Sequence, residues 1–296
     1  MDSIFGKLVR RYREGSVLIK LIYLNAAVFL TVRLLLVFLT LFNIKGQAGL
    51  SYLEVPSNIY LLLMRPWTLL TYMFFHFDIW HLLFNMLWFY VFGRIFLLFF
   101  SEKQMGGLYL LGGWAGAALY LLAYHIFPCF NGVNGFLLGA SAAVLAIVVA
   151  AAVYAPDYRL NFLFLGAIPL KYIAVVSVLI DLLSITSGNG GGHIAHLGGA
   201  LTGWWFVAAW KKGHDLTKGI NRVVDRLSTL FKPRRKNMKV WVNNRRGSRP
   251  ESDMEYNARK NREMEEIDRI LDKIKHSGYA ALTESEKRKL FEVSKK

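Results

Sequence analysis

Residues 80–99, WHLLFNMLWFYVFGRIFLLF, decide how this chain is read. A helix needs about 20 mostly apolar residues to cross the ~30 Å hydrocarbon core of a bilayer. This run supplies them with a single formal charge, Arg94. Its apolar residues are continuous rather than gathered on one amphipathic face, so no side of it is built for water. Working outward, runs of the same kind lie at about 19–43, 106–127, 137–154, 162–186 and 192–210. The predicted fold class is an all-α membrane protein, a six-transmembrane-helix bundle. The 137–154 and 192–210 spans are short and rich in Gly and Ala, which suits helices packed inside such a bundle.

Composition agrees. Of the 296 residues 54% are hydrophobic and 15% aromatic, and the mean hydropathy is +0.34. A soluble domain of this size cannot hide that much apolar surface in one core. Lys7, Arg10, Arg11 and Arg13 precede the first run as they would in a signal peptide. The run continues to Phe42, too long for a signal h-region, and no small-residue cleavage site follows, so it reads as an uncleaved first span. The single cysteine, Cys129, excludes an intrachain disulfide and a thiolate zinc cluster. No cofactor or metal is expected.

The formal net charge of +16 is unevenly placed: residues 211–296 hold 24 Lys and Arg against 13 Asp and Glu, residues 1–210 hold 12 against 7. Residues 232–249 carry eight basic residues and no acidic one. For a tail tethered to a bilayer, anionic lipid explains such charge more simply than nucleic acid does. With six spans both termini fall on one side, and their basic residues mark it as cytoplasmic. The long 44–79 connection falls on the other side; its aromatic stretch predicts a loop lying in the interfacial layer.

Four segments result: a cytoplasmic N-terminal segment 1–18, a membrane domain 19–210, a basic linker 211–250 and a helical tail 251–296. In the tail Ile267, Ile270, Leu271 and Ile274 form a helical stripe, Ser277-Gly278 stops it, and Thr283 to Glu286 is a capping box opening a second helix.

Polar residues inside hydrocarbon are costly, so function is sought there. His81 and Asn85, at i and i+4, share a helix face near one end of the second span. Ser141 sits in Gly139-Ala140-Ser141-Ala142-Ala143, where a lone serine is ordinarily packing. The last span opens Gly192-His193-Ile194-Ala195-His196, and Gly199 and Gly203 then form a surface on which another backbone can approach closely. A neutral imidazole beside a serine hydroxyl is what nucleophilic catalysis requires. Arg33 and Asp181 are the other deep charges and are expected to pair with each other or with backbone, leaving a dyad without a carboxylate. His76, in the loop, is expected to be an interfacial hydrogen-bonder.

With these motifs in order, the chain resembles the rhomboid family of intramembrane serine proteases over about residues 60–210. The family's His-x-x-x-Asn matches His81 and Asn85, its Gly-x-Ser matches Gly139 and Ser141, and its Ala-His-x-x-Gly-x-x-x-Gly matches Ala195, His196, Gly199 and Gly203. The resemblance implies Ser141 as nucleophile and His196 as general base, acting through an acyl-enzyme. It implies an oxyanion hole from the Ser141 N–H, His81 and Asn85, with Gly139, Gly199 and Gly203 in support. His193, one turn earlier on the same face, competes with His196 for the base but lacks the preceding Ala and the following Gly of the motif, and is placed behind the site. The implied partners are transmembrane-protein substrates and membrane lipid. Two positions depart from the family: Ala142 stands where glycine is usual, and the family's Trp-Arg pair appears as Trp67-Thr68 with Arg65 nearby. The alternative functions are an inactive rhomboid-like protein that binds membrane clients and, more remotely, a transporter. The compact plan and the absence of an organellar targeting segment point to a bacterial inner membrane.

Overall fold

The computed structural model describes residues 4–44, 47–162, 166–231 and 253–294, and divides into two units, Met1–Pro233 and Arg234–Lys296. The first contains α1 (Ile4–Glu14), α2 (Val17–Leu41), α3 (Gln47–Leu50), β1 (Val55–Pro56), α4 (Ile59–Met64), α5 (Thr68–Thr71), α6 (Ile79–Phe99) and α7 (Glu102–Ile126). These are followed by β2 (Phe136–Leu137), α8 (Ser141–Tyr154), β3 (Arg159–Phe162), β4 (Gly166–Pro169), α9 (Leu170–Leu183), α10 (Gly190–Lys211) and α11 (Lys218–Phe231).

The fold is all-α apart from two small antiparallel strand pairs, β1–β2 and β3–β4. Three helices among the described residues are long and apolar enough to cross a membrane: α2, α6 and α7. The expectation of six spans is therefore met only in part. α8 and α9 have 14 residues each, short of the length a span needs, and α10 has 22 but is diluted by glycine and histidine. The expected 162–186 span is also corrected: Phe162 and Gly166–Pro169 belong to the antiparallel β3–β4 pair, with Gly166 at φ +73, and the helix starts only after Pro169. Proline fixes its own φ and has no N–H to donate, so it suits the residue just before the first turn.

α8 is the axis of the bundle. Every residue from Ala142 to Ala152 is buried, and α6, α7, α9 and α10 pack around it. Small residues set the spacing: Gly199 and Gly203 of α10 lie against the carbonyls of Ala142 and Ala146, one helical turn apart on each helix.

The 44–79 connection is tied to the segment before α8. β1 pairs with β2, Val55 opposite Leu137, and Gly139 N–H donates to the Tyr72 carbonyl at 2.9 Å. Tyr72 and Tyr109 hydroxyls donate to the carbonyls of Gly113 (2.5 Å) and Met73 (3.0 Å), joining the loop to α7. Arg65 and Trp67 act together on Tyr52: the guanidinium stacks 3.7 Å from its ring centroid, and the indole N–H donates to its carbonyl at 2.9 Å. Loop anchoring is thus achieved without an adjacent Trp-Arg pair.

Residues 218–231, within the expected linker, form α11 with Val223, Val224 and Leu227 exposed. The basic run 232–249 lies outside the described residues. In the second unit α12 (Asp253–Ser277) ends at Gly278, φ +75, and α13 (Glu284–Ser294) follows. The Thr283 hydroxyl and N–H both donate to the Glu286 carboxylate, at 2.9 and 2.7 Å, and Glu286 N–H returns to the hydroxyl at 3.4 Å.

Candidate active site

Ser141 is the first residue of α8. The preceding Ala140 has no polar side chain with which to cap the helix. Gly139 makes this start possible. Its φ is +111, and a Cβ there would lie 2.9 Å from His81 Cε1. Glycine lets the imidazole of α6 close over the turn that leads to Ser141.

Ser141 Oγ and His196 Nε2 are 2.5 Å apart. The other nitrogen of that ring, Nδ1, is 2.7 Å from Asp181 Oδ1, and the same oxygen is 2.8 Å from His193 Nδ1. Asp181 is buried, and the two histidines are partly exposed. An ionised carboxylate only accepts, so each Nδ1 donates to Asp181, and in the neutral ring it is Nε2 of His196 whose lone pair faces the Ser141 hydroxyl. Sequence reasoning missed this pairing. Asp181 does not meet Arg33, whose guanidinium rests 5.5 Å from the Phe29 ring and 5.9 Å from Phe77. The one signal available was an acidic residue inside an apolar run, which calls for a partner.

A cavity of about 260 Å³ opens onto these groups, lined on one side by His81, Asn85 and Trp88 of α6 and on the other by Ser177 and Asp181 of α9. Asp78 caps α6 by accepting from His81 N–H at 2.8 Å, which fixes the turn that carries His81. The Asn85 amide donates to the His81 carbonyl at 2.9 Å. Asp181, His193 and His196 are the only described grouping of three residues with donor atoms close enough for a cation, within 4.8 Å of one another. The two hydrogen bonds account for that grouping without one.

Ala142 lies in regular helix, not in a left-handed conformation, and its methyl faces Gly116, where a Cβ would come within 2.7 Å of it. The extra methyl on α8 is matched by a missing one on α7. His76 is buried within the protein. It is 1% exposed, its ring centroid is 5.0 Å from that of His81, and neither ring nitrogen has a hydrogen-bond partner. Burial pushes its pKa down to about 4, with the neighbouring His81 adding to the effect.

Fold and site together define an all-α membrane protein with a serine–histidine–carboxylate cluster inside an apolar bundle. The chain belongs to the rhomboid family: residues 64–212 match the Rhomboid domain. That family includes both active proteases and inactive rhomboid-like proteins. Residues 251–296 match a family of unknown function, DUF6576. Similar curated proteins are RHOMBOID-like protein 12, mitochondrial, of Arabidopsis thaliana (33% identical, 50% of this chain and 48% of that protein) and Presenilin-associated rhomboid-like protein A, mitochondrial, of Danio rerio (27%; 49% and 39%). The Homo sapiens Presenilin-associated rhomboid-like protein, mitochondrial, is 28% identical over 49% of this chain and 39% of its own length. The chain thus spans less than half the length of these relatives. Their names correct the expectation of a bacterial inner membrane, since all are mitochondrial. The compact plan of spans had no power to decide this, because any bilayer asks the same length and polarity of a spanning helix.

Proposed function

We propose that this chain is an intramembrane serine endopeptidase that cleaves spanning helices of membrane proteins. The observation that carries the reading is the 2.5 Å approach of His196 Nε2 to Ser141 Oγ inside an apolar bundle. In this reading α8, α9 and α10 complete a six-span domain around α2, α6 and α7. The shortness of α8 leaves Ser141 below the membrane surface, and the exposed Tyr60, Leu63, Met64 and Trp67 rest the 44–79 loop in the interfacial layer.

A substrate segment enters the cavity between α6 and α9. As Ser141 Oγ attacks the scissile carbonyl, its proton passes to His196 Nε2. The new oxyanion takes hydrogen bonds from the Ser141 N–H at the start of α8, from His81 and from the Asn85 amide once that releases the His81 carbonyl. His196 then gives its proton to the departing amine, leaving an acyl-enzyme. A water molecule, losing its proton to His196, hydrolyses the ester and restores Ser141.

The test is to label the purified protein in detergent with a fluorophosphonate serine probe and to follow cleavage of a reporter with one spanning helix. The expected result is labelling and cleavage by the native chain and neither by Ser141→Ala or His196→Ala. Labelling that survives Ser141→Ala overturns the assignment. A native chain that neither labels nor cleaves supports the inactive, client-binding reading instead.

A further inference from the structure

The proteolytic reading needs only a serine and a histidine, yet the site contains a third group. We propose that Asp181 is a positioning residue for His196, so that this chain works with a Ser141–His196–Asp181 triad. The inference rests on the proteolytic reading and adds to it.

The three groups form one line of hydrogen bonds. Ser141 Oγ is 2.5 Å from His196 Nε2, and His196 Nδ1 is 2.7 Å from Asp181 Oδ1. They come from three helices, α8, α10 and α9. No local constraint of one segment therefore imposes the geometry. Asp181 is buried in the wall of the same cavity that reaches Ser141. A carboxylate there is expensive unless it is fully used.

Its use is chemical in two ways. By accepting the Nδ1 proton it holds His196 in the tautomer whose Nε2 can take a proton from serine. When that transfer occurs, the positive charge formed on the ring lies against a negative one in surroundings of low dielectric, where the attraction is strong. His193 donates to the same Oδ1 at 2.8 Å and so holds the carboxylate in place from the preceding turn of α10. It does not touch Ser141 in this arrangement. The two histidines thus have different roles: His196 relays the proton, and His193 steadies the acceptor.

The experiment compares kcat and KM for reporter cleavage, the rate of fluorophosphonate labelling and the melting temperature in detergent. Its variants are Asp181→Asn, Asp181→Leu, Asp181→Glu and His193→Leu. Asn preserves shape but offers an amide N–H toward Nδ1, favouring the wrong tautomer; in a serine protease triad such a change costs about 10⁴ in kcat. The expected result is a fall of about 10²–10⁴ in kcat for Asn and Leu with KM little changed, partial recovery in Glu, and a smaller fall for His193→Leu. Leucine suits a spanning helix at least as well as aspartate, so the Leu variant keeps the test open if Asn fails to fold. An active native chain whose stably folded Asp181→Leu keeps native kcat overturns the inference and leaves the dyad reading standing. A native chain without labelling or cleavage overturns the proteolytic reading and this inference with it.

Discussion

Gly199 of α10 lies directly against the carbonyl oxygen of Ala142, the residue that follows Ser141 on α8. A Cβ at 199 would overlap that oxygen, and Gly203 stands in the same relation to Ala146 one turn along. This contact sets how closely the helix carrying His196 approaches the helix carrying Ser141. Gly199→Ala should force the helices apart and lengthen the Ser141–His196 contact. A displacement of about 1 Å can cost 10²-fold in rate, so labelling should fall by about that factor, with a lower melting temperature. Native labelling and native melting together would show that the contact does not control the site.

The oxyanion assignment makes a separate prediction. His81→Ala and Asn85→Ala should each lower kcat by about 10²–10³ while KM changes little, because the donors are needed only when charge has formed on the substrate oxygen. Steady-state cleavage of the reporter measures this. A rise in KM at constant kcat would instead make these residues substrate-binding groups.

Asp78 tests whether the first turn of α6 must be held. Its carboxylate accepts the His81 N–H at 2.8 Å, and this bond holds the Asp78 pKa below the ordinary carboxylate value. Asp78→Ala should fray that turn, lowering both the melting temperature and kcat, whereas Asp78→Ser, still able to cap, should recover most of the loss. Equal behaviour of the two variants would mean that capping is not what Asp78 contributes.

His76 gives a pH dependence whose sign can be worked out. Its folded pKa is about 4, below the value near 6.5 of an exposed histidine. Between those values the unfolded chain binds a proton that the folded chain refuses, so stability is complete above about pH 6.5 and declines as pH falls toward 4. Melting temperatures in detergent from pH 7 to pH 4 should therefore drop more steeply in the native chain than in His76→Phe. Parallel curves would exclude His76 as the source.

Much of the fold was legible because hydrocarbon imposes a simple rule on sequence. The expected spans 80–99 and 106–127 became α6 and α7, and the tail's stripe, glycine stop and capping box became α12 and α13. The reading failed where that rule does not distinguish alternatives. Residues 166–169 lie in the apolar stretch expected to open the fifth span, but they pair with β3 as β4, and the helix begins only after Pro169. Residues 218–231 form a helix inside a stretch whose composition suggested only a basic linker.

The sequence by itself determined which side chains are out of place in a membrane: Arg33, His81, Asn85, Asp181, His193 and His196; Ser141 stood out only through the family's Gly-x-Ser motif. It carried the family resemblance as well, since motif order and spacing are properties of the chain. Only the tertiary structure decided who meets whom. Asp181 was expected to find Arg33, but it reaches two histidines 12 and 15 residues further on, across a helix end and a turn. His76 was expected at the interface and is buried beside His81. The physical reason is that a helix's composition states which residues it carries, while its rotation and depth against its neighbours state where they point. Those are set by close contacts such as Gly199 on Ala142, which exist only once the helices have packed.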